Sequence, residues 1–274
     1  RNRGIKVNIF NRKIRKMTHF LYMPFSGLGK HDKQRTPEYW DYRVEIFKKY
    51  TLPSLVNQSN KNFTLWMSFR PHDKEANFVK SLKNIVNGSG LSHVFTFNGV
   101  AMWDDRGLEN NDTLLERTKL NIESLKPFIK DEWIYITGIG SDDMLARDAV
   151  KEIQEQAPKT KKALYYLSGW IFDARTEQLA EWNRDTPCSK YTIIYPKEVI
   201  LDAKKWWDYE YECLKSHEYI TTCYVAEQLS ERMYCCVVHG ANISTDWLHV
   251  FRGMEVFQQE EKNKILSNFG IKLC

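Results

Sequence analysis

Apolar and polar positions alternate in blocks along the first half of the chain. KMTHFLY (16–22) is a short apolar run and reads as a strand. TPEYWDYRVEIFKKY (36–50) changes to a helical period, with Thr36 as N-cap, Pro37 at the first helical position and Glu38 in the first turn. TLPSLVNQ (51–58) starts a second helical piece, because Pro53 is awkward inside a helix. NFTLWMSF (62–69) predicts a strand, 73–86 a helix and HVFTFN (93–98) a short strand. NDTLLERTKLNIESLKPFI (111–129) predicts a long amphipathic helix with Leu114, Leu115, Thr118, Ile122 and Leu125 near one face. EWIYITGI (132–139) predicts a strand, and MLARDAVKEIQEQ (144–156) a helix closed by Pro158.

Strand and helix thus alternate four times, which predicts an α/β domain with a mostly parallel sheet covered by helices. Ligands of such sheets bind beyond the carboxyl ends of the strands. GSDD (140–143) falls at one such end and Arg70-Pro71-His72-Asp73 at another. After residue 160 the pattern is mixed. KALYYLSGWIFDARTEQLAEW (162–182) reads as two strands around an ARTE turn, YTIIYP (191–196) as a strand and KEVILDAKKWWDYEYECL (197–214) as largely helical. MYCCVVHG (233–240) is β-prone and 254–268 predicts a helix. No linker composition or repeat divides the chain, so one domain is expected.

Composition narrows the function classes. Of 274 residues, 42% are hydrophobic and 27% charged, which is ordinary for a globular protein. The net charge of +5 is misleading, because residues 1–31 hold eight Lys/Arg and no acidic residue. The remainder balances 32 basic against 35 acidic residues. The basic character sits in the arm 1–15, a candidate contact to an anionic membrane. The body carries no basic stripe, so no nucleic-acid partner is expected. No apolar run reaches the ~18–20 residues that span a bilayer, and no signal-peptide pattern is present. The chain starts at Arg1, as expected of a piece of a longer protein. Six Cys without a CxxC pair or zinc spacing are expected as reduced core thiols of a cytoplasmic protein. Aromatics reach 14%, which fits core packing and also a surface for ring-shaped ligands.

The candidate chemistry centres on GSDD. A Ser or Asp there would N-cap the following helix. That accounts for one carboxylate; two adjacent ones repel unless a cation is shared, and a divalent metal bridging two phosphates is the usual relief. The pattern leaves cap and metal equally open. RPHD offers a guanidinium at Arg70 and a carboxylate at Asp73, or alternatively an Asp cap for the following helix. KSHEYI (215–220) offers His217 and Glu218, and VVHG places His239 at a strand end. MWDD (102–105) offers Asp104 and Asp105. Gly27 and Gly29 lack the GKS/T ending of a P-loop. No G-x-S-x-G or HExxH occurs.

ITGIGSDDMLARDAVKEIQ resembles the Asp-rich metal motif of GT-A glycosyltransferases, and more narrowly the bacterial rhamnosyltransferase family. That family's pattern is threonine-arginine-leucine-Asp-x-Asp-Asp followed by a helix. Segments 39–69, 172–183, 191–199, 215–220 and 237–245 resemble it in the same order, so the likeness covers about residues 16–250. It implies a GT-A-like domain, with a nucleotide-binding half (16–158) and an acceptor half (159–274). It implies sugar transfer, plausibly of rhamnose, from a UDP-, dTDP- or GDP-linked donor to a glycan or glycoconjugate acceptor. Asp142 and Asp143 would hold Mn²⁺ or Mg²⁺ on the diphosphate, with His239 as a further ligand. Glu218 would be the general base of an inverting reaction. Thr18, His19, Arg70 and Asp73 would line the nucleotide pocket, and Trp170, Trp182 and Trp207 are candidates for the acceptor platform. The chain departs from the family at Gly138 and Gly140, where the family has arginine and the first Asp. A sugar nucleotidyltransferase or a degenerate glycan-binding module are the alternatives.

Overall fold

The computed structural model describes residues 17–26, 36–99, 111–156, 162–211, 217–229, 231–242, 245–248 and 252–272. The arm 1–15, Gly27, Gly29, Asp104 and Asp105 lie outside them. The first half follows the alternation: β1 (Thr18–Pro24), α1 (Pro37–Ile46), α2 (Leu52–Val56), β2 (Thr64–Ser68), α3 (Asn77–Gly88), β3 (His93–Thr96), α4 (Asn111–Leu125) and β4 (Trp133–Gly138). β1 pairs in parallel with both β2 and β4, and β3 runs parallel to β2.

The Thr36 side chain accepts the Tyr39 N–H at 3.4 Å, so the cap and Pro37 start α1. A π-helical turn, Phe47–Thr51, joins α1 to α2 and lets Pro53 sit in the first turn of α2. This turn also aims the Thr51 hydroxyl at the Ser141 carbonyl, 3.0 Å away.

The second half supplies β5 (Met144–Leu145), α5 (Ala149–Glu155), β6 (Lys162–Tyr166), β7 (Ser168–Asp173), β8 (Gln178–Asn183), β9 (Tyr191–Pro196), α6 (Lys197–Ile200) and α7 (Ala203–Tyr211). It continues with α8 (Ile220–Cys223), β10 (Val225–Leu229), β11 (Tyr234–Val238), β12 (Glu255–Val256) and α9 (Gln259–Asn268). Three of these strands complete the first sheet, whose order is β10-β6-β9-β4-β1-β2-β3. β9 is antiparallel to β4 and β6, while β10 runs parallel to β6. A second sheet has the order β12-β8-β7-β11-β5.

The mostly parallel sheet is covered on both faces, which is why its strands are almost continuously apolar. Leu21, Met23, Leu65 and Met67 pack with α3 through Val79 and Leu82. Phe20, Trp66, Ile134 and Ile136 face the other way, onto Ile122 and Leu125 of α4. A third core joins Phe172, Leu179 and Val237 of the second sheet to Leu266 and Phe269 around α9. No helix among the described residues is long and apolar enough to cross a membrane.

Three expectations are corrected. Residues 144–156 are not one helix, because Met144 and Leu145 pair antiparallel with Cys235 and Tyr234 and α5 begins only at Ala149. The stretch 162–182 is three strands, broken at Leu167, with β6 in one sheet and β7 and β8 in the other. The thiols are not all reduced: Cys188, Cys235 and Cys236 are free and buried, but Cys223 is disulfide-bonded.

Candidate functional site

GSDD is neither a helix start nor a loop without structure. It is a β-turn, closed by the Asp143 N–H on the Gly140 carbonyl at 3.3 Å, and it carries the chain from the first sheet into the second. The capping reading is therefore corrected.

Each carboxylate has its own buried cation. Arg43, from the inward face of α1, donates from Nη1 to Asp142 Oδ2 at 2.9 Å, and its Nη2 contacts the Ser141 hydroxyl. Lys190, just before β9, places Nζ 2.6 Å from Asp143 Oδ2, and both side chains are under 10% exposed. Asp143 Oδ1 accepts the Val237 N–H at 3.3 Å. Burial would raise the Asp142 pKa, but the Arg43 charge and a hydrogen bond from His239 outweigh it and hold the group well below the usual carboxylate range. Burial would likewise lower the Lys190 pKa, and the Asp143 charge reverses that and holds it well above the usual lysine range. Two like charges sit side by side because two opposite ones are fixed against them.

His239 follows β11 and is buried. The Ala241 N–H donates to its Nδ1 at 3.4 Å. Its Nε2 lies 3.1 Å from Asp142 Oδ2, which also accepts from Asn242 Nδ2 at 3.2 Å.

The turn forms one wall of a cavity of about 310 Å³. Tyr22 and Pro24 of β1 and Gly138 of β4 line it at the carboxyl ends of parallel strands. From β1 the chain proceeds to β2 and β3 on one side, then crosses back to β4 on the other. The cavity therefore opens at the topological switch point of the sheet, where open α/β sheets bind their ligands. Trp182, Arg184, Cys188 and Lys190 also line it. The Lys190 ammonium lies 5.9 Å from the Trp182 ring centre and 5.5 Å from that of Tyr234.

A divalent metal does not fit this donor set. Mg²⁺ and Mn²⁺ need several hard oxygen ligands with uncompensated negative charge. Asp142 Oδ2 already has three nitrogen partners, and both Asp143 oxygens are engaged. Asp142 and Asp143 are balanced by Arg43 and Lys190. His239 Nε2 is taken up by its contact with Asp142 Oδ2. No cluster of three or more metal-ligating side chains occurs among the described residues.

The structure separates the other expected residues. Thr18 donates to Asp131 Oδ2 at 3.1 Å at the start of β1. Its strand runs on for six residues, ~20 Å at the usual rise, to the cavity end. His19 is buried between Thr137, 2.8 Å from Nε2, and Gln154, 3.0 Å from Nδ1. Burial lowers its pKa to about 3, so it is a neutral linker between sheet and α5. Neither residue lines the cavity. Asp73 accepts the Ser26 hydroxyl at 2.6 Å, and Ser26 takes the Arg70 N–H at 3.3 Å, bracing the ends of β1 and β2 outside the cavity wall. Glu218 is half-exposed, with Oε1 3.9 Å from Arg184 Nη2. Its neighbour His217 does line the cavity, and burial lowers its pKa to about 4. Of the three Trp, only Trp182 is in the cavity wall; Trp170 lies under Arg232 and Trp207 is on α7.

Arg43, Arg184, Lys190 and Asn242 were not expected at the site. Arg43 carried a signal: it occupies the apolar face of its helix, between Trp40 and Phe47, a position that buries a charge only against a partner. Lys190 immediately precedes the apolar run YTIIYP, a second such signal.

The two glycines are set by packing. A Cβ on Gly138 would lie 2.9 Å from the Ser189 carbonyl oxygen. One on Gly140 would lie 2.5 Å from Asp143 Oδ2 and 2.9 Å from Asp142 Oδ1. Arginine and aspartate have no room where the two carboxylates turn back onto their own cations.

No protein-family profile matches the chain, and no curated protein matches it. Among solved structures it is similar to the inositol-1-phosphate CTP transferase from T. maritima, with a TM-score of 0.38, 9% identity, and 95% of this chain and 99% of that chain covered. It is also similar to a protein assigned as a nucleotide-diphospho-sugar transferase from Desulfovibrio desulfuricans G20 (TM-score 0.36, 10% identity, 82% and 80% covered). A third is the nucleoside-diphosphate-sugar pyrophosphorylase from Vibrio cholerae RC9 (TM-score 0.32, 11% identity, 82% and 93% covered). Likeness this remote carries no argument about activity.

Proposed function

We propose that the chain is a glycosyltransferase that moves a sugar from a nucleotide diphosphate donor to a hydroxyl of a glycan acceptor. The observation that carries this reading is the cavity at the switch point between β1 and β4, with the acidic turn and its two buried cations on the wall. The resemblance of residues 16–250 to rhamnosyltransferases supports a deoxyhexose as the sugar. The acceptor oxygen attacks the anomeric carbon, the bond from that carbon to the diphosphate breaks, and the nucleoside diphosphate leaves with the electron pair. Fixed positive charge beside the diphosphate stabilises that leaving group without reorganisation. Glu218, on the rim beside Arg184, takes the proton of the acceptor hydroxyl. Trp182 offers a face for the acceptor ring.

The test is to incubate the protein with UDP-, dTDP- and GDP-linked sugars and an oligosaccharide mixture, and to follow nucleoside diphosphate release. Release with one donor class is expected. Glu218→Gln is expected to slow it by ~10²-fold, with nucleoside diphosphate affinity unchanged. Glycan binding without release from any donor would replace the reading with a binding module. Pyrophosphate release from a nucleoside triphosphate and a sugar phosphate would replace it with a nucleotidyltransferase.

A further inference from the structure

We infer that this cavity is a metal-independent phosphate site, in which Arg43, Lys190 and Arg184 are the permanent cations that receive the two phosphates of a nucleoside diphosphate. The inference rests on the donor-site reading and specifies how that site handles charge.

Three observations carry it. Arg43 is 4% exposed, lines the cavity and keeps its Nε–H without an acceptor. A buried guanidinium N–H left unpaired is costly, and an incoming phosphate oxygen is its natural partner. Next, the charged groups of the described wall do not cancel. Within the wall Arg43 and Lys190 are matched by Asp142 and Asp143, which leaves one cation whose nearest carboxylate, Glu218, is outside it. Arg184 is that cation. Its guanidinium lies 5.2 Å from the Trp182 ring centre and reaches the Thr186 carbonyl and hydroxyl only at 3.3 and 3.5 Å. Half-exposed Glu218 at 3.9 Å is a weak, solvent-screened partner for it. Lastly, the two carboxylates act as holders of cations. A divalent metal entering here would have to displace Arg43 or Lys190 from the oxygens that keep them in place.

The roles divide accordingly. Asp142 and Asp143 are positioning residues, and the phosphates meet nitrogen donors. In a low-dielectric cavity such fixed charges act more strongly than in water.

The test is calorimetric titration of the intact chain with UDP, dTDP, GDP and inorganic pyrophosphate, in EDTA and again in Mn²⁺. One nucleoside diphosphate is expected to bind with the same affinity in both buffers. Arg184→Gln, at a partly exposed position that leaves the core untouched, is expected to weaken it about tenfold in both. Binding that requires Mn²⁺ would overturn the inference and leave the donor-site reading standing. Metal-free binding of pyrophosphate without any nucleoside diphosphate would overturn both the inference, whose ligand is a nucleoside diphosphate, and that reading. No binding of any of these anions in either buffer would overturn both.

Discussion

A Lys190→Met variant is expected to lose about 3–5 kcal/mol of unfolding free energy, the cost of leaving a buried carboxylate without its partner. Asp143 is 5% exposed and has Lys190 at 2.6 Å as its only charged partner within ion-pair distance among the described residues. Methionine keeps the length of the side chain beside the Trp182 and Tyr234 rings and removes the charge. Urea denaturation at neutral pH checks the value. The double variant Lys190→Met with Asp143→Leu is expected to regain part of the loss, because it removes the unpaired charge but leaves the Val237 N–H without its Asp143 acceptor. A loss below ~1 kcal/mol in the single variant would mean that water reaches the pair and that it behaves as a surface salt bridge.

Gly140→Asp is the second large effect. It restores the residue found in the resembling family, and it is expected to damage the site. Its Cβ would sit 2.5 Å from Asp143 Oδ2, an oxygen locked by Lys190. Overpacking costs ~1–3 kcal/mol, and a third carboxylate beside two others adds repulsion. The expected result is a lower midpoint of thermal unfolding, with nucleoside diphosphate affinity reduced at least ~tenfold. Mn²⁺ is expected not to restore it. Unfolding scans with and without nucleoside diphosphate and Mn²⁺ read both effects. A variant that folds normally and gains Mn²⁺-dependent affinity would show that the glycine marks a lost metal site.

The sheet was legible because its strands announce themselves. FLYM, TLWMS and WIYITG are apolar on both faces, as strands buried on both sides must be. The start of α1 was legible from Thr36 and Pro37 alone. The helix expected at Met144 was not real, since tertiary pairing with β11 overrides a local pattern that continues smoothly into α5. β10, with VAEQL, has too little apolar content to stand out; it exists because β6 offers it an open edge. At the site, the adjacent Asp pair drew attention, and it lies on the cavity wall. Its partners come from a helix 99 residues earlier in the chain and from the strand approach at Lys190, and no spacing rule links them. His239 was expected beside Asp142, and it is there in contact with Asp142 Oδ2. Thr18 and His19 were placed by strand identity alone, although only the far end of that strand reaches the cavity.

The central claim is that the switch-point cavity holds the nucleotide diphosphate. A crystal structure of the chain grown with the nucleoside diphosphate that binds best tests it most directly. The account predicts density for the ligand between Tyr22 and the GSDD turn, with phosphate oxygens within hydrogen-bond distance of Arg43, Lys190 or Arg184. Density for the nucleotide elsewhere on the molecule, with this cavity filled only by water, would contradict it.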